Sequence, residues 1–239
     1  MSICLGIDYG TSSLKALLWD TDSCSVLGVS SEEIPYVVKD GKRAEQDPKT
    51  VLDRAFVSTG RLLSKAGIQG QEIQGVSFSG QMHGLIGIDS QMRPLTRIIT
   101  WEDGRGTDST IESAKEIAPT LLEKSGCGFA RGYLGVTALA LMKEEKPLFS
   151  KVNSLLLPGD WLRNVFGSRK TPFTDPSNGS SSGLFHTEAR DWNWEAISSL
   201  GFRESLFPEV VESSVQVDVV SRETAEKTGL KEGTPLFVG

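Results

Sequence analysis

Two polar clusters in this chain have the residue types and spacing to do chemistry. The first is Asp8-Tyr9-Gly10-Thr11-Ser12-Ser13-Leu14-Lys15, which follows the apolar run Cys4–Ile7. A carboxylate ends a strand, and Gly10 permits a tight turn and a close backbone approach. The hydroxyls of Thr11 and Ser12 and the backbone amides of the turn can hold phosphate oxygens. Lys15 adds a point charge that suits phosphate. Asp8 suits Mg²⁺ held through water, because that ion keeps much of its hydration shell. A plain β-hairpin, with Gly and Ser serving only the turn, fits the spacing equally well. The segment is not a Walker A loop, which needs Gly-x-x-x-x-Gly-Lys-Ser/Thr.

The second cluster is Ser79-Gly80-Gln81-Met82-His83-Gly84, after the apolar run Ile73–Phe78. Strand ends are where α/β sheets present ligands. Gln81 and His83 can hydrogen-bond hydroxyl groups, and Met82 can cover an apolar face. A structural histidine is the competing reading of His83. Further on, Thr100-Trp101-Glu102-Asp103-Gly104-Arg105 offers an indole that can stack on a ligand or fill a cleft wall. Asp103 and Arg105 can bond a ligand or simply each other. Arg131, in the Gly-rich stretch 125–133, reads as part of a plain loop. Cys127 has no histidine near it in sequence and carries no nucleophile reading. Trp161, Trp192 and Trp194 read as packing residues, and His186 has no assigned role. The pairs Glu32-Glu33 and Glu144-Glu145 read as solvated charges.

These clusters need a scaffold. Cys4–Ile7, Leu14–Trp19 and Ser25–Ser30 read as three strands of a meander joined by tight turns. Asp47-Pro48 is a cap followed by a proline suited to the first helical turn, and the apolar spacing carries that helix to about residue 66. Strands are expected at Ile73–Phe78, Ile86–Ile88, Val152–Leu157 and Val215–Val220, with another beginning at Phe237. Helices are expected at Thr107–Lys124, Val136–Glu145, Asp160–Phe166 and Asp191–Leu200. Thr174–Gly183, rich in Ser, Gly and Asn, reads as a loop. No internal repeat is present. The order implies an α/β fold with a mixed sheet.

The chain has 239 residues, 38% hydrophobic and 23% charged, with a formal net charge of -6. That composition is ordinary for a globular α/β domain. Lys and Arg are scattered and outnumbered, which excludes a nucleic-acid footprint and disfavours anionic membrane surfaces. No run approaches the roughly 18 apolar residues that would span a bilayer. No basic-then-apolar leader opens the sequence, so a cytoplasmic location is expected. Cys4, Cys24 and Cys127 match neither a zinc site nor a disulfide framework, so reduced thiols are expected.

Gly6-Ile7-Asp8-Tyr9-Gly10-Thr11-Ser12 resembles the first phosphate motif of the actin-like ATPase superfamily. Ser79-Gly80-Gln81-Met82-His83-Gly84 resembles the signature of xylulokinase-like members of the FGGY carbohydrate kinases. Trp101-Glu102-Asp103-Gly104-Arg105 and Asp175-Pro176-Ser177-Asn178 are similar to further FGGY segments, in the same order, and the likeness runs from Gly6 to Gly239. The resemblance implies a ribonuclease-H-like (actin-like) lobe, the first of the two lobes of a sugar kinase, comprising residues 1–239. It implies ATP and Mg²⁺ as cofactors and phosphorylation of a ketose at a terminal hydroxyl. Asp8 would then place the metal, and Gly10, Thr11, Ser12 and Lys15 would face the phosphates. Gln81, Met82, His83 and Trp101 would seat the sugar. Glycerol kinases carry Arg-Glu where Met82-His83 stands, which argues against glycerol.

In the family, the segment that resembles Gly233–Gly239 leads into a Gly-Asp run whose Asp is the catalytic base. No catalytic residue is therefore expected within this chain, and a C-terminal ATP-binding lobe is the implied partner, with a homodimer also compatible. Tested alone, the lobe is expected not to turn over. Xylulose and sedoheptulose stand as near equals, since Ser125–Gly128 and Asp191–Phe202 look somewhat more like sedoheptulokinases. Two other classes stay open: a stand-alone, non-catalytic sugar-binding module derived from a kinase, and an actin-like polymer subunit or chaperone that binds nucleotide without sugar.

Overall fold

The computed structural model describes residues 2–126 and 128–238. The readings made at Cys127 and Gly239 lie outside the described residues. Strands β1 (Ile3–Tyr9), β2 (Ser13–Asp20) and β3 (Ser25–Glu33) form the expected antiparallel meander. The strand Ile73–Gly80 adds in parallel to β1, and Pro235–Val238 adds in parallel to Ile73–Gly80. Gln216–Val219 closes the edge antiparallel, which gives a six-stranded mixed sheet. The α/β, mixed-sheet expectation is borne out.

One sheet face is covered. Helix α1 (Pro48–Ala66) has Asp47 as its cap and Pro48 in its first turn, and it ends at Gly67 in the left-handed conformation. Its buried Val51, Ala55, Phe56, Leu62 and Leu63 share one core with the inward-facing Leu14, Ala16 and Leu18 of the meander. The helix Pro158–Phe166 adds Trp161, Leu162 and Phe166 to the same core. A second core lies beside it, built from Leu85, Ile99, Leu134, Leu155, Leu157, Phe185 and Trp192 among others. A small three-stranded sheet, Val38–Lys39, Ala44–Gln46 and Ile98–Ile99, bridges toward it.

Four expectations are corrected. The helix expected over Thr107–Lys124 is two helices, Asp108–Ile117 and Thr120–Ser125. Pro119 lacks the N–H and drives Ala118 out of the helical region, to φ -130° and ψ 76°. Thr174–Gly183 is not all loop: Phe173–Thr174 pairs as a strand, and Pro176–Ser180 is a short helix capped by Asp175. That Asp-Pro start repeats the cap-and-proline chemistry of α1 at a length too short to show a period. In Asp191–Leu200, Asp191–Trp192 pairs with Phe185–His186, and the helix begins only at Trp194 after Asn193 caps it. Glu32 is not solvated; it is buried under Arg54 and Arg61 and paired with both.

Candidate functional site

Alternation along β1 sends Asp8 to the uncovered sheet face and Tyr9 into the protein. Beyond Tyr9 the chain turns through Gly10-Thr11-Ser12, with the Gly10 N–H donating to the Ser13 carbonyl at 3.0 Å. Tyr9 and Gln46 are both fully buried. The Tyr9 hydroxyl donates to Gln46 Oε1 at 2.6 Å, and Gln46 Nε2 donates to the Thr11 carbonyl at 2.6 Å. Burial drives the Tyr9 hydroxyl far above its ordinary pKa, against the opposing pull of the Gln81 side chain, so Tyr9 remains a neutral donor. The turn is thus fastened from beneath by a side chain that enters from the small sheet.

The hydroxyl of Thr11 ties that turn to the second cluster. Trp101 Nε1 donates to Thr11 Oγ1 at 2.9 Å, and Thr11 Oγ1 donates to Gln81 Oε1 at 3.4 Å. The Gln81 N–H donates to the Tyr9 carbonyl at 2.7 Å, continuing the parallel pairing of Ile73–Gly80 with β1. Three residues singled out from sequence, Thr11, Gln81 and Trp101, are therefore brought into one contact set although they lie up to 90 positions apart. Met82 is 60% exposed and Trp101 47% exposed, so neither serves the core.

His83 is held rather than free. It lies in the left-handed region, φ 61°, and its N–H donates to Ser181 Oγ at 3.2 Å. Its Nδ1 lies 2.6 Å from the Ser181 carbonyl, which can only accept, so Nδ1 carries a proton and Nε2 is the nitrogen left for a ligand. Its ring stacks on Tyr133 with centroids 3.9 Å apart. Gly84 has φ 71°, donates its N–H to the Gly132 carbonyl, and sits where a Cβ would come within 2.6 Å of the Ile99 carbonyl. Gly132, φ 79°, lies so close to Trp101 that a Cβ would stand 1.9 Å from the Trp101 carbonyl. These two glycines let the Gln81–Gly84 loop, Trp101 and Tyr133 converge.

The remaining predicted phosphate-side residues divide. Ser12 is exposed at the tip of the turn. Asp8 and Lys15 are register partners across the hairpin, and both point to the uncovered sheet face. With Ser77, Phe78 and Ser79 they line an open groove of about 320 Å³. Asp103 and Arg105 do not face a ligand. Arg105 Nε lies 2.8 Å from Asp103 Oδ1, a second guanidinium nitrogen reaches Glu45 Oε1 at 2.5 Å, and Asp103 Oδ2 accepts from the Ala44 N–H. Burial pulls the guanidinium pKa down, but the two carboxylates outweigh it and hold it above its ordinary value. The cluster anchors the segment after Trp101 to the strand that carries Gln46. Arg131 pairs with Asp108 at the surface, as a plain loop residue. Trp161 and Trp192 are buried packing residues.

Sequence reading missed Tyr9, Gln46, Tyr133 and Ser181. Gln46 stands directly before the Asp47-Pro48 cap, whose signal is that of a helix start alone. Tyr133 follows a glycine that needs positive φ, which is the one signal available for it. Ser181 lay in a stretch read as loop.

The assembled surface joins the exposed indole of Trp101 and the hydroxyl-bearing turn to Gln81 in one hydrogen-bond network, with the exposed thioether of Met82 and the ring of His83 next along the chain. That combination suits a polyhydroxylated ligand lying beside a phosphate group. The model of the FGGY family of carbohydrate kinases, N-terminal domain, matches residues 3–239. A xylulose kinase of Bacillus subtilis is 29% identical over the whole chain, and a gluconokinase of the same organism is 26% identical. The chain spans 47% of the former and 46% of the latter, about half the length of the curated relatives it matches. The ligand-bound xylulose kinase of Lactobacillus acidophilus superposes with a TM-score of 0.89 at 23% identity, covering all of this chain and 48% of that one. With a family model matched along nearly its full length, this chain belongs to the FGGY family of carbohydrate kinases, as an N-terminal domain.

Proposed function

We propose that this chain is the sugar-seating lobe of an ATP-dependent ketose kinase, with D-xylulose or sedoheptulose as the acceptor. The single observation that carries the reading is the Thr11 hydroxyl, which touches both Trp101 and Gln81. It joins the turn that would face phosphates to the loop that would seat the sugar. On this reading Gln81 and His83 hydrogen-bond sugar hydroxyls, His83 through its Nε2. Met82 and Trp101 cover the apolar face of the carbon chain. The amides of Gly10–Ser12 and the ammonium of Lys15 face the phosphates of ATP. Phosphoryl transfer depends on such positioning and charge neutralisation more than on covalent help from the protein.

Mg²⁺ fits the donor set. Among the described residues no group of three or more His, Cys, Asp or Glu side chains is placed to cage a metal. A cation that keeps its waters and takes one carboxylate plus phosphate oxygens is the kind such a site accepts, and Asp8 is the carboxylate that would hold it. When bound, the ion would neutralise charge on the transferred phosphoryl group. The catalytic base and the adenine pocket are assigned to a partner lobe beyond residue 239. The chain as it stands is therefore expected to bind ketose without turnover.

Calorimetric titration with D-xylulose, sedoheptulose, gluconate and glycerol tests this. Saturable binding of a ketose, in preference to gluconate and glycerol, is the expected result. Absence of ketose binding at millimolar concentration would reject the reading. Sustained ADP release with D-xylulose in a coupled assay would reject the assignment of the base to another lobe.

A further inference from the structure

Thr11 has one hydroxyl proton and two neighbours that want different things from its oxygen. Trp101 Nε1 is a donor only, so at 2.9 Å it occupies a lone pair of Oγ1. The proton is thereby directed to Gln81 Oε1, at the long distance of 3.4 Å. The oxygen cannot swing freely. The Thr11 backbone is tethered through its carbonyl to Gln46 Nε2 at 2.6 Å, and Gln46 is itself fixed by the buried Tyr9 hydroxyl. The Gln81 backbone is likewise tied, by its N–H on the Tyr9 carbonyl, while its side-chain Nε2 is buried without a hydrogen-bond partner. With both backbones tied, the Thr11 O–H bond can still turn about the Cβ–Oγ1 axis, toward Gln81 Oε1 or toward a ligand over the turn.

We propose that this proton couples the two halves of the site, so that a polyol at the Gln81–Trp101 side and a polyphosphate at the Gly10–Ser12 turn strengthen each other's binding. The proposal rests on the ketose-kinase reading above. A sugar hydroxyl that donates to Gln81 Oε1 at ordinary distance shares that oxygen with Thr11 and weakens its long 3.4 Å bond. The Thr11 O–H is then released to donate to a phosphate oxygen over the turn. Run in reverse, a phosphate oxygen that takes the Thr11 proton leaves Gln81 Oε1 as an unshared, stronger acceptor for a sugar hydroxyl. No proton is transferred and no bond breaks; one hydrogen bond changes partner. Because each ligand frees what the other needs, the coupling is positive, and linkage makes it equal in both directions. Hydrogen bonds to a charged acceptor are stronger than neutral ones, so the exchanged bond gains most when phosphate is present. A factor on the order of tenfold is expected, within the usual range for coupled sites.

The test uses this 239-residue chain, with D-xylulose and magnesium tripolyphosphate as probes. Each affinity is measured alone and with the other probe saturating, by calorimetry and by tryptophan fluorescence. Wild-type chain is expected to bind each probe about tenfold more tightly when the other is present. Thr11→Val keeps the shape and removes the proton, and should bring the factor to one. Thr11→Ser keeps the proton and should retain it. A purely structural role for Thr11 would instead change both affinities while leaving their ratio intact. If both probes bind wild type independently, the coupling is wrong and the kinase reading survives. If coupling persists in Thr11→Val, the proton is not its carrier and the proposal is overturned. If neither probe binds, the kinase reading fails and takes this inference with it.

Discussion

The buried pair Tyr9–Gln46 gives the sharpest stability test of the site's architecture. Both side chains are inaccessible to water, and their hydrogen bond is 2.6 Å long. Tyr9→Phe leaves Gln46 Oε1 without its donor in a dry setting, which costs about 1–3 kcal/mol. For a domain of this size that is a fall in Tm of roughly 2–12 °C. Gln46→Met strands two groups, the Tyr9 hydroxyl and the Thr11 carbonyl. Thr11 is only half buried, so water can recover part of the second loss. About 2–4 kcal/mol is expected for this variant. The double variant is the decisive one. Once Gln46 is gone, the Tyr9 hydroxyl is itself stranded, and removing it relieves a penalty. Tyr9→Phe/Gln46→Met should therefore be no less stable than Gln46→Met alone, a departure from additivity of at least about 1 kcal/mol. Urea unfolding of the four proteins, with equal m-values required, measures the cycle. Strict additivity of the two single variants would refute the claim that these groups fasten the turn as one unit.

Three further outcomes follow from the same geometry. Arg105→Met leaves Asp103 and Glu45 buried without their cation and should cost about 3–5 kcal/mol in chemical unfolding; a cost below about 1 kcal/mol would show that water reaches the pair. Gly132→Ala forces a Cβ against the Trp101 carbonyl at a backbone angle alanine resists, so tryptophan fluorescence should shift and ketose affinity fall, whereas an unchanged spectrum would contradict the close approach. Asp47→Ala removes the α1 cap and should cost about 0.5–2 kcal/mol at neutral pH. Burial raises the Asp47 pKa, but the Thr50 hydroxyl and backbone donors outweigh it and hold the folded value below the ordinary 3.8. A depressed folded pKa means the contribution is fully present above pH 3.8 and is lost as pH falls through the folded value. The gap between wild type and variant should close only in acid, and a gap that narrows near neutrality would point to another group.

How much was legible from sequence follows from how local each feature is. The meander, α1 and the strand ending at Gly80 were readable because period, cap and turn chemistry are nearest-neighbour properties. Asp8, Thr11, Gln81, His83 and Trp101 were readable as candidates because motif spacing is also local. The convergence of Thr11, Gln81 and Trp101 was not, since it depends on hydrogen bonds between positions 70 and 90 residues apart. Gln46 went unread for the same reason: nothing in Glu45-Gln46-Asp47 says that a glutamine will lie beneath a turn 35 residues upstream. Arg105 and Asp103 were read with two outcomes, and burial decided for the ion pair, as it does when a guanidinium meets two carboxylates away from water. The helix over 107–124 breaks at Pro119, a local signal, because the proline takes Ala118 before it out of the helical region.

The proposed function rests on a single wall that would carry both a sugar seat and a phosphate turn. Nuclear magnetic resonance of isotope-labelled chain titrated with D-xylulose tests it most directly. The Trp101 indole and the amides of Gln81, Met82 and His83 are predicted to shift together, and the Gly10–Ser12 amides to follow through Thr11 at the same ligand concentration. Shifts confined to Gln81–His83 and Trp101, with a silent turn, or shifts clustered on a distant surface, would contradict it.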